Sequence, residues 1–99
     1  MRKSATLRAT ALEDLPNIGK AIAADLRAMG IERPAQLKRR SPYALFENLN
    51  RGTRVRHDPC VLDTFIAAVR FVGGGTARPW WAYSAERKRA LATRRRRPT

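Results

Sequence analysis

The residues best suited to chemistry in this 99-residue chain lie in LEDLPNIGKAIAADL, residues 12–26. Gly19 and Lys20 stand where a helix should begin, just after a turn at Pro16-Asn17. The first backbone N–H groups of a helix have no intrahelical partner and carry the positive end of its dipole. A glycine there places no Cβ between those amides and an approaching group, and Lys20 adds a full positive charge. The chemistry expected of Ile18, Gly19 and Lys20 is therefore phosphate binding through two or three backbone donors and one ammonium, none of which reads a base edge. Affinity of this kind is independent of sequence and rests on phosphate contacts and counterion release.

Two other groups invite a chemical reading. His57, Asp58, Cys60 and Asp63 lie within two helical turns and have metal-binding side chains. A metal, however, needs three or four convergent ligands, and Pro59 gives Asp58 a ready role as a helix cap. Cys60 reads as a small buried hydrophobe, and as a nucleophile it would have His57 beside it with no orienting partner. With one His, one Cys and no acid pair at a defensible spacing, the chain is expected to be non-enzymatic, with no catalytic residue, no metal and no cofactor. Trp80, Trp81 and Tyr83 could stack on unpaired bases. The competing use is to fold back over a small core, and the balance favours core packing for at least one tryptophan.

Charge points the same way as the hairpin. The chain carries a net +13 and a pI near 11.6, an excess far beyond what solubility needs and one that fits a polyanionic partner. Residues 85–99 contribute +6 and the first 84 residues +7, so both parts are basic. Lys38, Arg39 and Arg40, and then Arg51, Arg54 and Arg56, form two clusters that would extend the phosphate-binding face. Arg94, Arg95, Arg96 and Arg97 would act as a disordered arm that raises non-specific affinity. The lone cysteine fits a reducing cytoplasm, MRKSATLRATALEDL lacks the apolar run of a signal peptide, and the apolar stretch 61–72 is too short to cross a bilayer. A cytoplasmic protein with no membrane partner is expected.

The elements that must position these residues are all helical. Thr10 and Glu13 have capping-box spacing, which predicts a short helix over about 11–15, stopped by Pro16 and Asn17. Ile18, Ile22, Leu26 and Met29 mark one face of a second helix, with Gly30 as its stop. Pro34 opens a short helix to about Leu37. Ser41-Pro42 caps and starts another, with Leu45, Phe46 and Leu49 buried and Gly52 as its end. Asp58-Pro59 repeats that grammar, and Leu62, Phe65, Ile66, Val69 and Val72, with Ala67, Ala68 and Phe71 on another side, predict the central helix of the core, closed by three glycines. Residues 76–84 are irregular and aromatic, and Ser84 could cap a last helix from Ala85. No strand-length alternation appears, so the fold expected is an all-α bundle of about five or six short helices.

LEDLPNIGKAIAADL resembles the helix-hairpin-helix motif, whose hairpin runs apolar-Pro-Gly-apolar-Gly, and MGIERPAQLKRRSPYALFENL resembles its continuation, covering roughly residues 10–50. The first half is also similar to the C-terminal domain of bacterial competence regulators. LPNIGKAIAADL, RHDPCVLDTFIAAVRF and ARPWWAY together resemble the small bacterial helix-hairpin-helix proteins of the pathogenicity-locus or mitomycin-resistance type. These resemblances imply a SAM-like helical fold and a DNA-binding role without an established reaction. Asn17 replaces the first hairpin glycine. Where base-excision glycosylases sharing the motif carry a catalytic lysine and aspartate, this chain has Ala21 and Arg39.

The sequence thus predicts a flexible segment over 1–9, a helix-hairpin-helix domain over 10–84, and a basic helix with a disordered tail over 85–99. The expected function is sequence-independent binding of nucleic acid, DNA above all, with a homodimer or a protein partner as the means of strengthening a single hairpin. The alternative is a helical protein–protein interaction module, such as an adaptor in DNA repair or uptake.

Overall fold

The computed structural model describes residues 11–54 and 56–96, with side chains through residue 93. The all-α expectation is met: the described residues form four α-helices and three short 3-10 turns, with no strand. The order is a 3-10 turn Leu12–Asp14, α1 Lys20–Ala28, a 3-10 turn Pro34–Leu37, α2 Pro42–Thr53, α3 Pro59–Val72, a 3-10 turn Trp80–Tyr83, and α4 Ser84–Arg96.

Local chemistry sets most of these boundaries. Asn17 takes the left-handed conformation at φ 70°, and the Ile18 N–H donates to the Leu15 carbonyl at 3.2 Å. With Pro16 ahead of it this is a type II turn, which needs a residue tolerant of positive φ at its third position. α1 ends where Gly30 turns left-handed at φ 89°. The Ile31 and Gly30 amides fold back onto the Leu26 and Arg27 carbonyls, so orphan acceptors are satisfied and Ile31 is buried beside Leu26. The same closure recurs after α3: Gly74 sits at φ 105°, and the Gly75 amide reaches the Arg70 carbonyl at 2.9 Å. A Cβ on Gly75 would lie 2.9 Å from that oxygen. Ser41 Oγ accepts from the Ala44 amide, Asp58 Oδ1 accepts from the Cys60 amide, and each is followed by a proline at the first helical position, where no donor is lost.

Three expected boundaries are corrected. Thr10 lies outside the described residues, and the Ala11 amide is held by Asp14 Oδ2 at 3.0 Å rather than by Glu13, whose carboxylate is engaged elsewhere. Gly52 does not end α2. The helix continues to Thr53, whose hydroxyl donates to the Leu49 carbonyl, and Arg54 takes the left-handed cap position at φ 59°. Ser84 is not a cap either: the 3-10 turn Trp80–Tyr83 runs straight into α4, with Ser84 already helical.

α3 is the central helix. It packs against α2, α4 and both later 3-10 turns, and Leu62 through Ala68, Phe71 and Val72 are buried, so its apolar residues face inward on nearly every side. Leu12, Leu15, Ile18, Ala23 and Leu26 bring the first 3-10 turn and α1 into the same core, and Tyr83 joins it from the last turn.

Two polar residues sit within α3's buried surface. Thr64 Oγ1 donates to the Cys60 carbonyl one turn back. Asp63, with no solvent exposure, accepts Arg87 Nε at 2.9 Å and Arg87 Nη2 at 3.2 Å, and its Oδ2 also accepts the Ser84 hydroxyl at 2.6 Å. That carboxylate holds the Arg87 guanidinium even more firmly protonated than usual. Beside it Arg70 of α3 pairs with Glu86 of α4, and Leu91 rests on the core. α4 is polar over most of its surface, so these contacts are what dock it. Replacing Asp63 with alanine leaves a nearly buried guanidinium without its counterion and is expected to destabilise the fold by about 3–5 kcal/mol in urea unfolding. Replacing Asp63 and Arg87 together with leucine should cost less than the single change.

Candidate nucleic-acid interface

The hairpin is built from the inside out. Leu15 and Ile18 are buried on either side of the type II turn and fix it to the core, while Gly19, Lys20 and Ala21 are exposed. Gly19 is the N-cap of α1 with φ −95° and ψ −173°, and no side chain caps the helix there. No described residue lies within 4 Å of where a Gly19 Cβ would stand, and that backbone conformation is open to any residue. Neither crowding nor torsion within this chain calls for glycine at this position.

Glu13 is close enough for its charge to feel Lys20, and a free carboxylate there would oppose an incoming anion. It is not free. Arg27 grips it through two parallel bonds, Nη1 to Oε2 at 2.9 Å and Nη2 to Oε1 at 2.8 Å. This fork pulls the Glu13 carboxyl down from 4.5 to about 2, helped by the backbone, and raises Arg27 in turn. This acid, close enough to feel Lys20, is thereby matched by a cation from the end of the same helix.

Asn17, which stands in place of a hairpin glycine, has a use of its own. Its Nδ2 donates to the Arg78 carbonyl at 2.7 Å across 61 residues of sequence. The hairpin is therefore tied to the segment that leads into Trp80–Tyr83. Arg78 is exposed, and its guanidinium lies over the ring of buried Tyr83, 5.6 Å from the centroid, as does that of Arg70 at 5.7 Å. Sequence reasoning missed Arg78. The only available signal was an arginine set among aromatic residues in an otherwise irregular stretch.

A sequence profile of the Cdd1 pathogenicity locus family matches residues 5–89. The chain belongs to that family. It is also similar to the mitomycin resistance protein McrB of Streptomyces lavendulae, 44% identical over 81 residues that cover 82% of this chain and 77% of the relative. No solved structure matches the chain significantly.

In this Cdd1-family chain the basic clusters are all exposed. Lys38, Arg39 and Arg40 follow the second 3-10 turn, where the Arg40 amide closes on the Leu37 carbonyl at 3.0 Å and Arg39 takes φ 66°. This is a second type II turn, with an arginine where glycine is favoured. Arg51 lies in the last turn of α2 with Glu47 at 3.9 Å, Arg54 is the left-handed cap of that helix, and Arg56 lies in the link to α3. Left-handed conformation costs an arginine about 1–2 kcal/mol, and Arg39 and Arg54 both adopt it. The backbone at Arg94, Arg95 and Arg96 is helical, their side chains lie outside the described ones, and Arg97 lies outside the described residues.

Of the two tryptophans, Trp80 is half-buried and Trp81 is 63% exposed; the aromatic that enters the core is Tyr83. The two indoles meet edge to face, with centroids 5.4 Å apart and planes at 86°.

The four residues with metal-binding side chains point to separate tasks. The His57 amide donates to Asn50 Oδ1, which also lies 2.9 Å from the His57 ring. Asp58 caps α3, and its bond to the Cys60 amide lowers its pKa. The Cys60 thiol is half-buried rather than fully buried, and its pKa is raised, first by its hydrogen bond to Asp58 and then by burial, so it is poorly activated as a nucleophile. Asp63 is committed to Ser84 and Arg87. No group of three or more His, Cys, Asp or Glu among the described residues is arranged to hold a metal, and no described helix is long and apolar enough to cross a membrane.

Because the folded Glu13 pKa lies below its unfolded value, the stability this carboxylate contributes is complete above about pH 4.5 and is lost as the pH falls toward 2. Arg27→Ala is expected to return the Glu13 midpoint toward 4.5 in a carboxyl NMR titration. An unmoved midpoint would mean that the fork is not what depresses it.

Proposed function

We propose that this Cdd1-family protein is a non-enzymatic, sequence-independent DNA-binding protein, and that residues 12–28 act as a helix-hairpin-helix unit whose helix mouth takes a backbone phosphate. The observation that carries the reading is the exposed, uncapped start of α1. There Gly19 leaves open a space that no described residue fills, Lys20 stands at the first helical position, and the Glu13 carboxylate is occupied by Arg27. Phosphate suits such a mouth because several partial charges and one full charge converge without demanding a particular base.

Lys38, Arg39, Arg40, Arg51, Arg54 and Arg56 add further phosphate contacts in this reading, and α4 with Arg94 to Arg97 adds long-range attraction that salt screens. The location that suits such a role is the cytoplasm. The similarity to a mitomycin resistance protein extends the proposal to a contribution to mitomycin resistance in the source cell, to be scored by survival when the gene is removed.

If about four to six phosphates are neutralised, the log–log salt dependence of binding to blunt duplex DNA should have a slope of roughly −4 to −5. Fluorescence anisotropy over a salt series, repeated with Lys20→Ala, should find weaker binding and a slope shallower by about one. The tail comparison should use a chain ending at Thr93, since Leu91 packs on the core and must be kept. If truncation at Thr93 weakens binding while Lys20→Ala changes nothing, the hairpin is only a structural turn.

A further inference from the structure

Trp81 is exposed over 63% of its surface, while Tyr83, two residues on, is the ring that anchors the turn in the core. An indole held out in water forgoes the hydrophobic burial that an inward ring gives the fold. Its setting is ordered: Trp80 packs edge to face against it, and the 3-10 turn that carries both is seated on α3. The segment just ahead of that turn is fixed to the hairpin by the bond from Asn17 Nδ2 to the Arg78 carbonyl. Arg78 itself is exposed and presents a guanidinium from the same segment.

We infer that Trp81, joined to the hairpin through Asn17 and Arg78, is a stacking platform that makes this protein bind DNA carrying unpaired bases in preference to continuous duplex. The inference rests on the DNA-binding reading above and adds the class of DNA to it. Inside a duplex both faces of every base are covered by neighbours, so a flat aromatic has nothing to stack on. An unpaired base has a free face, and stacking on an aromatic side chain tolerates any base. The surrounding charge fits this occupant: the chain is strongly basic, and Arg78 and Lys20 stand on the two segments that the Asn17 bond joins. A phosphate at the hairpin and an unpaired base at Trp81 would engage one DNA molecule at two points, on the two segments that the Asn17–Arg78 bond holds together.

The test compares a blunt duplex with the same duplex carrying a single-stranded thymine tail, at matched salt, by anisotropy and by quenching of tryptophan fluorescence. The wild-type protein is expected to bind the tailed duplex more tightly, with quenching on the tailed DNA only. Trp81→Ala should weaken tailed-duplex binding about 5- to 150-fold, which corresponds to roughly 1–3 kcal/mol of stacking, and Trp81→Phe should recover part of that loss. Asn17→Gly keeps the left-handed turn, since glycine adopts positive φ freely, yet removes the link to Arg78, and should lower the preference for tailed over blunt DNA. Thermal melting of each variant checks that the fold is intact.

Equal binding of blunt and tailed DNA, or a Trp81→Ala variant that keeps the wild-type preference, would overturn the platform while the salt slope and Lys20→Ala continue to read the hairpin separately. Absence of binding to either DNA would overturn both readings. Tighter binding of a tail made of RNA would overturn the assignment to DNA.

Discussion

A carboxylate with no solvent exposure sits in the first half of the apolar helix α3, and the arrangement of the C-terminal third depends on it. Asp63 lies among the buried apolar residues of α3, and a carboxylate there is tolerated only if its lone pairs are filled. Arg87 fills two directions and the Ser84 hydroxyl a third. The requirement is directional in a way that apolar packing is not. α4 carries no apolar face that could choose its own orientation, so the fork on Asp63 sets its register and angle, and Arg70, two turns further along α3, supports the same docking through Glu86. Once α4 is placed, the turn before it is placed as well, because Trp80–Tyr83 runs into Ser84 without a break.

From that turn the constraint passes to the other end of the chain. Tyr83 is buried under two guanidinium groups, Arg78 lies just ahead of the turn, and its carbonyl receives the Asn17 amide. The candidate interface is therefore assembled from segments far apart in sequence that meet around α3. Arg27, near the far end of α1, occupies the Glu13 carboxylate, and the start of α1 is left open. This division keeps the apolar interior in α3 and assigns the solvent-facing chemistry to short turns around it, where backbone amides and long basic side chains can reach a partner.

What was legible in the sequence was local. Ser41-Pro42 and Asp58-Pro59 announce their helices because a side-chain acceptor followed by a residue lacking N–H suits a helix start. Asn17, Gly30 and the glycine run at 73–75 mark places where positive φ is needed, and the density of apolar residues in 61–72 marks the core helix. Local signals failed where two local solutions compete. Gly52 looked like a stop, but the Thr53 hydroxyl carried α2 one residue further and passed the left-handed position to Arg54. Thr10 and Glu13 had the spacing of a capping box, yet Glu13 is taken by Arg27, fourteen residues away. The bonds from Asp63 to Arg87 and from Asn17 to Arg78 span 24 and 61 residues, and no periodicity in the sequence encodes such a pairing. Arg87 therefore read as one more cation of a basic tail, and Arg78 did not read as part of any site.

The Asn17–Arg78 bond also has a consequence for biosynthesis. During translation the hairpin residues leave the ribosome early, but the carbonyl that receives the Asn17 amide is polymerised 61 residues later and is held in place only after α4 has emerged and docked. Throughout that interval the nascent hairpin lacks its tether to the later segment. A half-made chain thus carries the basic charge of its first half before the turn that bears Asn17 is tied down.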